Sequence, residues 1–289
     1  MTDRTRSGIL VMVITMLVFA GQDGISRYLA EKTNIFMVVM IRYWFFLIFV
    51  MAISQARSGS VWAAARTSRP WLQFFRGVLL AVEILVTVWA FVLLGLAEAH
   101  AIFAACPLMI AALSGPVLGE RVGWRRWIAV AVGFAGILVI LQPGTRVFSP
   151  VALVPILGAV LFAIYNLLTR YVARFDSATT SFFWTGLGGF VLMTAIGPFF
   201  WEPMESGDWI WMGVLCLTGA TGHFLLIKAY ELAEASAVQP FAFLQLVFAS
   251  AIGVTVFGED LALTTVLGAM MIVGAGLFTI SRERAAASG

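Results

Sequence analysis

Runs of about twenty apolar residues, broken only by short polar turns, follow one another along the whole 289-residue chain. Crossing a hydrocarbon core of ~30 Å takes about 20 residues of helix, because no lipid-exposed backbone group can go unpaired. On that ruler the pattern predicts ten membrane-spanning helices, at about 8–29, 34–53, 71–94, 98–118, 124–141, 149–171, 178–200, 209–230, 235–257 and 262–281. The longest connection runs from Ser54 to Pro70. That leaves no room for a soluble domain, and no GxxxxGK[ST] nucleotide loop is present.

The pattern also repeats. Phe19-Ala20 through Ser26-Arg27-Tyr28-Leu29-Ala30 returns 143 positions later as Phe162-Ala163 through Thr169-Arg170-Tyr171-Val172-Ala173, with Asp23 falling on Asn166. Gly77-Val78-Leu79 answers to Gly213-Val214-Leu215, and Ala97-Glu98-Ala99 to Ala233-Glu234-Ala235, both at an offset of 136. Gly119-Glu120 matches Gly258-Glu259. The expected units are therefore two five-helix repeats, 1–145 and 146–289. Five is odd, so the second repeat inserts upside down relative to the first, as in secondary transporters. The repeat also opposes reading the N-terminus as a signal peptide, since cleavage near Ala20 would cut a block that persists as an internal helix in the second half.

Composition sharpens the class. The chain is 61% hydrophobic and 11% charged, with a mean hydropathy of +0.98, far from the roughly one-quarter charged residues of soluble domains. With a cytoplasmic N-terminus, one side collects Arg4, Arg6, Arg57, Arg66, Arg69, Arg76, Arg121, Arg125, Arg126, Arg170, Arg174, Arg282 and Arg284; the other has Arg27, Lys32 and Arg146. The positive-inside rule then predicts an inner-membrane protein with both termini in the cytoplasm. Cys106 and Cys216 fall inside spans and read as buried thiols. Neither a catalytic triad, a metal cluster nor a cofactor motif is present, so an enzyme is not expected, and no cofactor, metal or nucleic acid is implied.

The five-plus-five arrangement resembles the drug/metabolite transporter superfamily in its EamA branch. The Gly-Glu pairs closing the fourth and ninth spans, Arg42 in the second, and the run Pro240-Phe241-Ala242-Phe243-Leu244-Gln245-Leu246 carry the same resemblance. The likeness covers nearly the whole chain and is nearest to bacterial exporters of aromatic and other neutral amino acids. It implies an all-α integral membrane fold, two inverted repeats around a central cavity, and efflux of small metabolites by alternating access. An exporter of cationic drugs or quaternary ammonium compounds, coupled to protons, is the alternative.

Polar groups within spans mark candidate function, because a charge at the bilayer centre costs about 2.5–3.5 kcal/mol on insertion scales. Asp23 is drawn into the membrane because Ile9 to Ala20 is too short to span; it reads either as a substrate or proton group or as a partner of Arg42. Glu83, at the centre of the third span, suits proton coupling, or a plain hydrogen bond to a neighbouring helix. Arg42 cannot lose its proton and needs a carboxylate: Asp23, Glu83 or that of the substrate, with a structural ion pair the preferred reading. His100 and His223 can change charge near neutral pH or simply satisfy a hydrogen bond. Gln22, with its repeat partner Tyr165, and Asn166, the partner of Asp23, would line one pseudo-symmetric site, which Gln245 could join. Most of the Trp residues fall at span ends, as interfacial belts do. Trp89 lies within a span and is the candidate stacking surface for an aromatic substrate. Pro107 and Pro240 would kink helices at matched places in the two halves. Glycines of the fifth and tenth spans (Gly133, Gly136, Gly268, Gly274, Gly276) would permit close helix contact.

Overall fold

The structure is a computed structural model that describes residues 3–106, 108–110, 112–113, 124–141, 151, 153–232 and 239–287. The described residues are helical throughout, with no strand. The helices are α1 (Asp3–Lys32), α2 (Ile35–Ser58), the short α3 (Val61–Ala65), α4 (Pro70–Leu94), α5 (Leu96–Phe103), α6 (Trp124–Leu141), α7 (Leu153–Val172), α8 (Ala178–Ile196), α9 (Asp208–Leu232), α10 (Leu244–Phe257) and α11 (Leu263–Ala287). The helices follow the expected apolar runs, although parts of the 98–118 and 235–257 spans lie outside the described residues; among the described residues five helical segments are individually long and apolar enough to cross a membrane.

Local chemistry sets the ends. Asn34 caps α2, its side chain accepting from the Phe36 N–H at 3.0 Å, and Gly59 closes it in the left-handed region at φ 65°. Pro70 starts α4, where its missing N–H costs nothing. Ser177 caps α8 through the Thr180 N–H at 3.1 Å. At Gly95, φ +83° breaks the chain between α4 and α5, a turn that a side chain would strain.

The two repeats interlock. α1 packs on α9 and α10, and its repeat counterpart α7 packs on α4 and α5, so each pairing recurs with the halves exchanged. Small residues bring backbones together. A Cβ on Gly136 would lie 2.8 Å from the Gly268 carbonyl oxygen, and one on Gly268 would lie 2.5 Å from that of Gly136, which seats α6 directly on α11. Likewise a Cβ on Gly77 would lie 2.5 Å from the Trp184 carbonyl oxygen, and one on Gly188 2.6 Å from that of Phe74, so the backbones of α4 and α8 approach closely at this glycine pair. Of the other expected contact glycines, Gly133 meets Leu108 and Gly276 meets Phe243, whereas Gly274 faces open space.

The outer faces stay apolar. Leu10, Leu17, Ile48, Phe134, Val247 and Met270 are exposed on the flanks, and Trp62, Trp71, Trp124, Trp201 and Trp209 are exposed near helix ends. That is the layout of a lipid-facing surface with interfacial aromatic belts. Both interrupted helices lie at matched places: α5 breaks at a turn over Ala104-Ala105, and Gln239–Phe243 forms a 3-10 turn before α10. Under the 136-residue offset, Ala104-Ala105 falls on Pro240-Phe241. Pro240 thus sits in the interruption itself, while Pro107 lies outside the described residues.

Candidate functional site

A cavity of about 320 Å³ lies between the repeats, bounded by α1, α2, α4, α5, α7, α9 and α10. Its size is at the lower end of the usual range for small-molecule sites. Gln22, Asp23, Arg42, Glu83, His100, Asn166, His223 and Gln245 all line it. Most of the remaining wall is apolar, with Phe19, Phe91, Phe103, Phe162 and Phe243 prominent.

The polar groups fall into two sets. In the first, Gln245 Nε2 donates to Asp23 Oδ2 at 2.8 Å, and His100 Nε2 lies 3.2 Å from the same oxygen. The His100 contact lacks hydrogen-bond alignment, so that buried nitrogen is unpartnered. The His100 ring stacks on Phe91 at 5.0 Å. In the second set Glu83 accepts from Thr87 Oγ1 at 2.7 Å, and Arg42 borders the cavity beside His223 and Gly219.

The preferred sequence reading of Arg42 requires correction. Asp23 accepts from Gln245 and Glu83 from Thr87, and among the described residues no carboxylate lies within ion-pair distance of Arg42. The guanidinium faces the cavity beside the unpartnered amide oxygen of Gln22. Asn166 uses its Nδ2 on the Phe162 carbonyl at 2.7 Å, four residues back, which leaves its amide oxygen for the cavity. His223 makes edge contacts with Phe19 and Phe46 at 5.2 and 6.0 Å.

Two candidates stand apart from the cavity. Trp89 is 52% exposed on the apolar flank. Tyr165 instead lies beneath the Arg76 guanidinium, 5.2 Å from its ring centroid. Trp89 was chosen for its depth and Tyr165 as the repeat partner of Gln22, and neither criterion reveals azimuth.

Sequence reasoning also missed two networks, one at each end of the cavity. At the Lys32 end of α1, Glu259 accepts from the Leu96 and Ala97 N–H groups at 2.7 and 2.9 Å and pairs with Arg27. One carboxylate thereby caps α5 and ties it to α1 and α10, as an acid at a helix N-terminus does well. Arg27 also lies over Phe257 at 4.2 Å and bonds Glu31 at 2.8 Å. A Cβ on Gly95 or Gly253 would collide with the Glu259 carboxylate. At the opposite end Arg76, only 1% exposed, donates to Gln73, Thr169, Thr185 and the Ser181 carbonyl. Gln73 in turn donates to Asp176 at 2.8 Å. Arg27 and Arg76 were counted only as loop-side charges. The Gly258-Glu259 motif was the available signal for the first network; Arg76 had none. Its repeat partner Gly119-Glu120 lies outside the described residues.

Comparison with known proteins agrees with this layout. The family model described as EamA-like transporter family matches residues 6–142 and 149–281. An S-adenosylmethionine uptake transporter of Rickettsia prowazekii (strain Madrid E) is 27% identical, covering 96% of this chain and 94% of its own. A riboflavin transporter of Rhizobium johnstonii is 30% identical, covering 97% and 93%. A solved crystal structure with 17% identity superposes at a TM-score of 0.65 over 94% of this chain and 96% of its own, which speaks to fold alone. Two family matches in tandem, lying on two interlocked helical repeats around one cavity, establish that the chain belongs to the EamA-like transporter family, whose members are multi-pass membrane transporters rather than enzymes.

Proposed function

We propose that this chain is a secondary transporter that carries small metabolites combining an aromatic portion with a charged head, amino acids and their conjugates among them, by alternating exposure of the cavity between the repeats. The observation that carries the reading is the cavity wall: phenylalanines interleaved with two carboxylates and a guanidinium that has no carboxylate in ion-pair reach among the described residues. Such a mixture is costly in a membrane unless a ligand meets it. Relatives named for S-adenosylmethionine and riboflavin, both heteroaromatic, point to the same size class.

We read the Arg27–Glu259 pair as closing the cavity at the Lys32 end, with the lining reaching Met12, Leu226 and Ala242 toward the other. In our reading the Lys32 end faces outward and both termini lie in the cytoplasm, as the arginine bias favours, so the cavity communicates inward. The repeats 1–145 and 146–289 would rock against one another to reverse this. Export and uptake are opposite directions of one such cycle, and the prevailing gradient selects between them. Asp23 or Glu83 could take up a proton where transport is gradient-coupled, and the same acids would serve a cationic drug.

Counterflow in proteoliposomes tests the reading, with labelled phenylalanine, S-adenosylmethionine and riboflavin in parallel and a pH gradient of either sign. Saturable exchange of at least one is expected. Exchange of none, with lipophilic cations also inert, overturns the proposal. Exchange of lipophilic cations alone favours the drug-export alternative.

A further inference from the structure

Two buried polar groups flank the half-buried Arg42 without partners of their own. Gln22 is 5% exposed and its amide oxygen has no donor. Tyr43 is 3% exposed and its hydroxyl has no partner. The Arg42 guanidinium has no carboxylate within ion-pair reach among the described residues. Arg42 and Tyr43 line one side niche of about 20 Å³, room for a single compact group, together with Phe46, Cys216, Gly219 and His223. Arg42 also lines the main cavity, as does Gln22, so the niche opens where both meet it.

Gly219 on α9 makes the space. The position a Cβ would take there lies 3.3 Å from Arg42 Nε and 3.3 Å from Gln22 Oε1. An unused donor fork and an unused acceptor thus flank one glycine, with the Asp23 carboxylate following Gln22 in sequence and lining the same cavity. Satisfied networks do not look like this: the buried Arg76 donates to four groups. Leaving buried polar atoms unpaired costs about 1–3 kcal/mol each, so their convergence marks a place completed by a ligand.

We infer that the Arg42–Gln22–Gly219 niche is the docking site for an α-amino-acid head group, the substrate carboxylate accepting from Arg42 and Tyr43 and the ammonium donating to Gln22 and Asp23. The inference rests on the reading that the cavity is the transport site. A planar guanidinium suits a carboxylate by two parallel hydrogen bonds, and the side chain of the substrate then extends along the phenylalanine wall. Gly219 is the specificity-determining position, because a methyl group there stands where donors and acceptors must converge on the head. A flavin, which carries neither ammonium nor carboxylate, leaves the niche unfilled.

Exchange of labelled S-adenosylmethionine and labelled phenylalanine in proteoliposomes of the full chain tests this, with phenylalanine, its methyl ester, phenethylamine and phenylpropionate as competitors. The zwitterion should compete roughly 10- to 100-fold better than the ester, the amine or the acid, the loss expected when charge-assisted hydrogen bonds go unmade. Arg42→Gln should abolish that discrimination, Arg42→Lys should restore part of it, and Gly219→Ala should weaken the zwitterion about 10-fold. Alanine favours helix over glycine, so Gly219→Ala keeps α9 intact and tests the niche even where Arg42→Gln does not fold. Equal competition by phenethylamine and phenylalanine, or discrimination preserved in Arg42→Gln, overturns the head-group site. Exchange of riboflavin alone overturns it while metabolite transport stands, and exchange of nothing overturns the cavity reading itself.

Discussion

Asp23 holds its place through Gln245, and Glu83 through Thr87. Asp23→Asn and Glu83→Gln are near-isosteric, so both variants should remain monodisperse in detergent while exchange in proteoliposomes falls about 10-fold or more, the scale of one lost charge-assisted contact. Wild-type rates in both would remove these acids from the transport step. At this scale the sequence was informative where cost speaks: polar residues within apolar spans are expensive, and eight candidates, chosen by that cost or by the repeat correspondence, line one cavity. It was uninformative where azimuth decides. Trp89 and Tyr165 have suitable depth, but their helices turn them toward lipid and toward Arg76. Nor could spacing show that Arg42 would be left without a carboxylate, since that depends on which neighbours have already claimed Asp23 and Glu83.

Among the helices, the junction that begins α5 is tied across the repeats by one carboxylate. Glu259 supplies the cap that Gly95 cannot, and it does so from the far repeat. Removing its charge with Glu259→Gln should weaken two backbone caps and the Arg27 pair together, lowering stability by about 1.5–3 kcal/mol. Thermal unfolding in detergent reads that loss. The same variant should expose the cavity from the Lys32 end. In a Cys216→Ser background, labelling of the cavity-lining Cys106 by a membrane-impermeant thiol reagent added on that side should speed up relative to the parent. An unchanged labelling rate would mean that the junction is structural only. Helix positions themselves were legible from apolar run length and from the Gly-Glu repeat. The cap was not, because its partners are separated by more than 160 residues.

Across the whole molecule, stability at the end opposite Glu259 depends on one arginine that joins α4, α7 and α8. Arg76→Ala leaves Gln73, Thr169 and the Ser181 carbonyl without their shared donor. It should cost about 3 kcal/mol, as other broken buried charge networks do, read as a lower unfolding temperature and lower yield in membranes. Sidedness is a separate matter: reporter fusions at the two termini should both be active in the cytoplasm, and a periplasmic signal from either would reverse the assignment of the Lys32 end as outer. The interlocking of repeats was foreseeable from the 143- and 136-residue offsets, because pseudo-symmetric halves must bury their apolar faces on each other. The glycine seam between α4 and α8 bears on how such halves can move. With carbonyl oxygens too close to Gly77 and Gly188 for any side chain to intervene there, and with Arg76 bonded across to Thr185 and the Ser181 carbonyl, the two helices have little freedom to shear or tilt against each other. Spin labels placed on their lipid-facing sides should therefore keep a constant separation while the cavity changes sides, making this pair the fixed frame against which every other displacement in the cycle is measured.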